Sequence, residues 1–223
     1  MKDRVVVFDF DDTLTDNSLL DLRSFQYLSS SFGLYKPTGQ EIKEFRCKSM
    51  LAKDIITWII EKSVKSVQVE LCMKMRDEFL KGKESEELIK MKPRLYSILK
   101  KLKSQGYTLL IATRKDLVNL KPILERHKLT GFFQGLYANS SEDKTCIYQK
   151  ILNDFNLLPS ACMVVSNSFQ DLLPALDLGM KAVGIEGSYG VDQALVEKVS
   201  VMQDLTELYT YIIDQDEKAV SKV

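Results

Sequence analysis

The chain has 223 residues, 45% of them hydrophobic, and its 31 Lys and Arg balance 31 Asp and Glu. That is the composition of a folded protein with room for one core and a smaller second lobe, and zero net charge excludes broad polyanion binding of the nucleic-acid kind. A single His, four scattered Cys and the lack of any apolar run near the ~18 residues of a membrane span exclude a His-rich zinc site, a disulfide scaffold and a spanning segment.

Val5 to Phe8 is a short β-branched and aromatic run ending at Asp9, which reads as a buried strand with polar groups at its carboxyl end. Acids follow at once, where a secretory leader would be apolar, so a cytoplasmic protein with reduced thiols is expected. From Asn17 to Lys90 the pattern turns helical: Ile42/Phe45, Ile55/Ile59 and Val67/Leu71/Met75/Phe79 repeat at helical spacing. Three to five helices are expected there. Pro93 then opens a helix with Leu95, Ile98, Leu99 and Leu102 on one face and Gly106 after its end.

Beyond it, strands and helices alternate. Strands are expected at 107–112, 135–138, 163–166 and 182–185, and helices at 116–127, 144–156 and 172–178. The tail from Val191 reads as one or two further helices. His127, near the end of a helix, reads as a surface or helix-end residue. The fold class is α/β: a Rossmann-like parallel sheet with helices on both faces, residues 1–16 and 91–223, plus an inserted all-helical cap, residues 17–90. In such sheets ligands bind beyond the carboxyl ends of the strands.

The sharpest local signal is Asp9-Phe10-Asp11-Asp12-Thr13-Leu14. Carboxylates at i and i+2 after a buried strand bring like charges together, which calls for a cation, and Mg²⁺ is the oxygen-seeking choice. One carboxylate can then attack phosphorus and the other move a proton. The plainer reading of the same residues is a turn whose acids cap a helix. Asp12 and Asp16 read as flap or capping residues.

With three later elements this segment resembles the haloacid dehalogenase superfamily. The elements are a strand ending in Thr113 (LLIAT), Lys144 at a helix start (SSEDKTCIYQKIL), and an acidic segment after another strand (MVVSNSFQDLLPALDLGM). All four stand in the family's order. The resemblance implies a phosphatase that removes phosphate from a small phosphorylated metabolite through an aspartyl-phosphate, with Mg²⁺ as cofactor. Asp9 would be nucleophile and metal ligand. Asp11 would be the general acid/base, with its backbone carbonyl on the metal. Thr113 and Lys144 would hold the phosphoryl oxygens, with Arg114 beside them. The metal set would be Asp9, Asp11, Asn167 and Asp171. Arg46, Lys48 and Lys53 in the insert are candidate contacts for a substrate anion, and Trp58 reads as cap core. Gly187-Ser188-Tyr189-Gly190 is similar to a loop of the phosphoglycolate-phosphatase branch.

The chain departs from the pattern at one position. Where the family carries GDxxxD, this chain has Ser166, Asn167 and Asp171. Asn offers a neutral oxygen to a metal and brings no charge. That leaves two alternatives beside the hydrolase: a non-catalytic binding relative, or a phosphotransferase or mutase on the same intermediate. A phosphonate hydrolase using Lys53 or Lys48 as a Schiff base is a further rival.

Overall fold

The computed structural model describes residues 4–48, 50–139, 143–191 and 196–220. The chain divides into two compact units: residues 1–15, 91–187 and 191–223 in one, and residues 16–90 with 188–190 in the other. Strands in chain order are β1 (Val5–Phe8), β2 (Thr15–Asp16), β3 (Lys90–Met91), β4 (Thr108–Thr113), β5 (Gly135–Ala138), β6 (Cys162–Ser166), β7 (Lys181–Ile185) and β8 (Val201–Met202). Six of them form one sheet in the order β5-β4-β1-β6-β7-β8, and β2 pairs with β3 in a separate ribbon.

In the first unit every pairing of the six-stranded sheet is parallel, for example Phe8 with Ile111 on one side and with Val165 on the other. The central strand β1 is buried on both faces, so it carries no polar alternation. Val5, Val7, Leu110, Ala112 and Val164 face α8 (Lys144–Asp154) and α9 (Phe169–Asp177) through Ile147, Tyr148, Ile151, Leu172 and Ala175. Helix α6 (Leu95–Ser104), which packs on β4 and on α10 (Leu205–Val220), carries the buried row Leu95, Ile98, Leu99 and Leu102 at helical spacing. Helix α7 (Leu117–Arg126) ends at His127. From β1 the connections run outward in both directions, to β4 and β5 and then to β6, β7 and β8. The carboxyl end of β1 is therefore a topological switch point, where the diverging loops leave a crevice.

The second unit holds α1 (Ser18–Phe32), α2 (Gly39–Cys47), α3 (Ala52–Lys62), α4 (Val69–Lys81) and α5 (Lys83–Leu88). Its core is Phe25, Leu28, Leu34, Ile42, Ile55, Ile56, Ile59 and Cys72. Trp58 meets Phe45 edge-on at 4.7 Å between ring centres. A polar knot ties the unit together. Asp21 accepts from Arg46 Nε at 2.7 Å and Arg46 NH2 at 2.9 Å, from Arg76 NH2 at 2.6 Å, and from the Tyr189 hydroxyl at 3.1 Å.

Four elements differ from the sequence expectation. Pro93 does not open α6: it lies in the turn before it, because Arg94 takes a left-handed φ of 63° and the helix starts at Leu95. Helix α9 begins at Phe169 and not at Leu172, which places Asp171 in its first turn. The tail contributes β8 as well as a helix: Val201 and Met202 pair with Gly184 and Ile185. Residues 188–190 group with the helical unit, since Tyr189 packs against its core and Cys47 Sγ donates to the Tyr189 carbonyl at 2.9 Å. No helix among the described residues is long and apolar enough to cross a membrane.

Candidate active site

Asp9 is the first residue past β1, and its N–H continues the ladder by donating to Val165 O at 2.9 Å. The following loop is tied down from within. Asp12 takes a left-handed φ of 60°. Its N–H donates to Thr15 Oγ1 at 3.0 Å, and the Leu14 N–H reaches back to Phe10 O at 3.0 Å. Phe10 and Leu14 are fully buried, which turns Asp11 outward between them.

Lys144 sits at the first position of α8, whose N-cap Asp143 accepts from the Cys146 N–H at 2.9 Å. Its side chain is buried, 3% exposed, and the ammonium spends its protons on Asp9 Oδ1 and Ala112 O, both at 2.7 Å. It also lies 3.4 Å from Asp171 Oδ2. Asp171 Oδ1 meets Arg114 NH2 at 3.3 Å. A buried ammonium is tolerable only with partners of this kind. Asp9 is buried too, and burial pushes its carboxyl up, to about 6: Lys144 pulls the other way, while the charges of Asp171 and Asp11 add to the rise. Loss of water, more than the neighbouring charges, is what makes the Asp9 anion costly here.

Thr13, part of the Asp9–Leu14 segment but given no role from sequence, links two site residues. Its hydroxyl accepts from the Asn167 N–H at 3.1 Å and can donate to Asn167 Oδ1 at 3.0 Å or to Asp9 Oδ2 at 3.3 Å. Asp9 Oδ2 and Asn167 Oδ1 are therefore gathered at one hydroxyl. Gly187 lets this happen: a Cβ there would stand 3.0 Å from Asn167 Nδ2. Thr13→Val keeps the shape and removes the hydroxyl, leaving the Asn167 N–H without its acceptor. It is expected to cost about 1–3 kcal/mol of stability, measured by urea unfolding; an unchanged midpoint would contradict the bridging role.

The structure brings Asp9, Lys144, Asn167, Asp171 and Arg114 into one network, with Thr113 at the adjoining end of β4, where its Oγ1 accepts from the Lys115 N–H at 3.2 Å. Asp11 meets Lys115 Nζ at 3.4 Å. Arg46 and Lys48 belong to the second unit. Arg46 is taken up by Asp21 and by Met50 O, at 2.9 Å from its NH1, while Lys48 is the exposed C-cap of α2. Lys53 lies 3.8 Å from Glu70.

The fit of the site to Mg²⁺ can be judged from its donors. Among the described residues no group of three or more His, Cys, Asp or Glu forms a metal cage. The Asp9 carboxylate and the Asn167 carboxamide oxygen, gathered at Thr13, are hard donors. Mg²⁺ is commonly held by one or two carboxylates, with water and substrate phosphate completing its shell. The donor set fits that ion.

The chain is similar to several known proteins. A phosphoglycolate phosphatase of Pasteurella multocida is 24% identical over 220 residues, spanning 94% of this chain and 98% of that one. A 5'-nucleotidase of Pseudomonas aeruginosa is 23% identical over 195 residues, covering 85% of this chain and 86% of that one. In structure the chain is similar to a haloacid dehalogenase-like family hydrolase from Streptococcus pneumoniae, with a TM-score of 0.73 at 22% identity, over 94% of this chain and 98% of that one. The sequence description of the haloacid dehalogenase-like hydrolases matches residues 6–185, from β1 to the end of β7, and so takes in each strand end that bears the network. A parallel sheet whose switch point carries Asp9 against a buried Lys144, matched over that length, makes this chain a member of the haloacid dehalogenase-like hydrolase family.

Proposed function

We propose that the chain is a Mg²⁺-dependent phosphatase that removes phosphate from a small phosphorylated metabolite through an aspartyl-phosphate on Asp9. The observation that carries this reading is the 2.7 Å contact from buried Lys144 to one oxygen of a buried Asp9 carboxylate. Lys144 neutralises the carboxylate at Oδ1. Attack of an Asp9 carboxylate oxygen on phosphorus forms the acyl-phosphate bond as the phosphorus–oxygen bond to the leaving group breaks. Asp11 gives its proton to the departing alkoxide. It then takes a proton from water as the water oxygen attacks phosphorus, which frees inorganic phosphate and restores Asp9. Lys144 and Arg114 offset the charge on the phosphoryl oxygens, and the Thr113 hydroxyl donates to one of them. Asp9 and Asn167 would hold Mg²⁺, with the Asp11 carbonyl and Asp171 nearby, and the ion when bound supplies further positive charge at the phosphoryl group.

The named relatives make phosphoglycolate and a nucleoside monophosphate the first substrates to try. Phosphate release from a panel of such esters, with and without Mg²⁺, tests the reading; no release from any of them would contradict it.

One observation favours a second reading. Asn167 stands where the family's charged metal ligand would be, which suits a binding protein with a retired site. Asn167→Asp separates the two. It restores one negative charge beside Asp9 and should lower the Mg²⁺ concentration for half-maximal activity about tenfold, equivalent to roughly 1.4 kcal/mol. Calorimetric Mg²⁺ titration should show the same shift. Tighter Mg²⁺ with no turnover in either protein would favour the binder. Unchanged Mg²⁺ affinity would show that Asn167 does not face the ion.

A further inference from the structure

Two cations follow Thr113 at the end of β4, and their side chains diverge. Arg114 turns to Asp171 with 56% of its side chain exposed. Lys115 turns instead to the loop after β1, where its Nζ lies 3.4 Å from Asp11 Oδ2, and it is better covered, 21% exposed against 38% for Asp11. The same residue's N–H is fixed on Thr113 Oγ1 at 3.2 Å. Lys115 is thus anchored by its backbone at one site residue and reaches another through its ammonium. A half-exposed ion pair of this length contributes little to folding. What it does contribute is placement: the Asp11 carboxylate sits in a loop and turns outward, and Lys115 holds one of its oxygens.

We propose that Lys115 is a positioning residue that holds the Asp11 carboxylate where it exchanges protons with the leaving group and with water. The inference rests on the reading of Asp11 as general acid/base. Lys115 acts through Asp11, so its removal is felt in proportion to the need for an acid. Alkyl phosphates need a proton on the departing oxygen, and aryl phosphates with a stable phenolate do not.

The test is the single-turnover release of alcohol from phosphate monoesters of rising leaving-group basicity, at saturating substrate and Mg²⁺. It uses the full chain as wild type, Lys115→Met, Lys115→Arg, Asp11→Asn and the Lys115→Met/Asp11→Asn double variant. Lys115→Met should lose roughly tenfold on an alkyl phosphate and less than about twofold on 2,4-dinitrophenyl phosphate. Asp11→Asn should show the same trend more steeply. The double variant should match Asp11→Asn, since the two residues act as one unit. Lys115→Arg should recover most of the rate, and thermal unfolding should be unchanged throughout. A loss equal for all leaving groups, or a further loss in the double variant, would overturn the proposal and make Lys115 a phosphoryl contact. If Asp11→Asn itself shows no dependence on the leaving group, the acid/base reading fails along with it. If Asp11→Asn is steep and Lys115→Met flat, only the role of Lys115 fails.

Discussion

Asp9→Asn is expected to lose phosphate release by on the order of 10⁴-fold or more, the scale seen when a covalent nucleophile is removed, while the fold is kept. The carboxamide retains an oxygen for Lys144 Nζ, which lies 2.7 Å from Oδ1 in the wild type, so the buried ammonium keeps a partner. It lacks the anionic oxygen proposed to attack phosphorus, and the neighbouring carboxylates are engaged elsewhere. Asp11 is held on Lys115, and Asp171 divides its oxygens between Lys144 and Arg114. Steady-state assays on protein freshly purified and checked by mass for deamidation decide the matter. Activity within tenfold of wild type would remove Asp9 from the reaction.

The largest effect on stability should come from the helical unit. Asp21 is 10% exposed and faces two guanidiniums, Arg46 at 22% and Arg76 at 12%. Both stack toward Phe25, at 5.7 and 4.7 Å from its centroid. Asp21→Asn keeps the volume but leaves two largely buried cations facing a neutral amide, at a cost of about 3–5 kcal/mol. Trp58, the sole tryptophan, lies in this unit, so its fluorescence reports the unfolding. Burial pushes the Asp21 carboxyl up, but the hydrogen bonds and charges of Arg46 and Arg76 outweigh it and hold the group below its ordinary 3.8. Its contribution is therefore complete above that value and fades as pH falls through the lower folded one. The wild type should lose stability on acidification below about pH 4, and Asp21→Asn should be flatter there. A variant as stable as wild type at pH 7 would refute the knot.

The core of the fold was legible because its strands are buried on both faces. VVVF, LLIAT and MVVS stand out as apolar runs, and each delivers a polar group at its carboxyl end: Asp9, Thr113 and Asn167. Lys144 was legible only as one of four elements standing in the family's order, since a single Lys at a helix start says little. Two-residue β8 was not, since two residues show no period. The start of α9 was missed although Ser168, followed three positions on by Asp171, marks a helix beginning there. Pairings across long stretches of chain leave no local trace at all. Asp21 finds Arg46, Arg76 and Tyr189 at separations of 25, 55 and 168 residues, and Thr13 finds Asn167 at 154. The sequence offers Arg46 as a candidate contact for a substrate anion, and only the fold supplies Asp21 as its partner. Lys115 was invisible for the same reason, being one of 31 cations until β4 is laid beside β1.

The proposed covalent step can be caught directly. The wild type is mixed with saturating substrate and Mg²⁺, quenched in acid within one turnover, digested and mapped by mass spectrometry. One phosphoryl group, labile to hydroxylamine as an acyl phosphate is, should appear on the peptide that carries Asp9, and it should be missing from Asp9→Asn. Phosphate release at full rate with no phosphoryl group on the chain, or with the group on any residue other than Asp9, would contradict the mechanism.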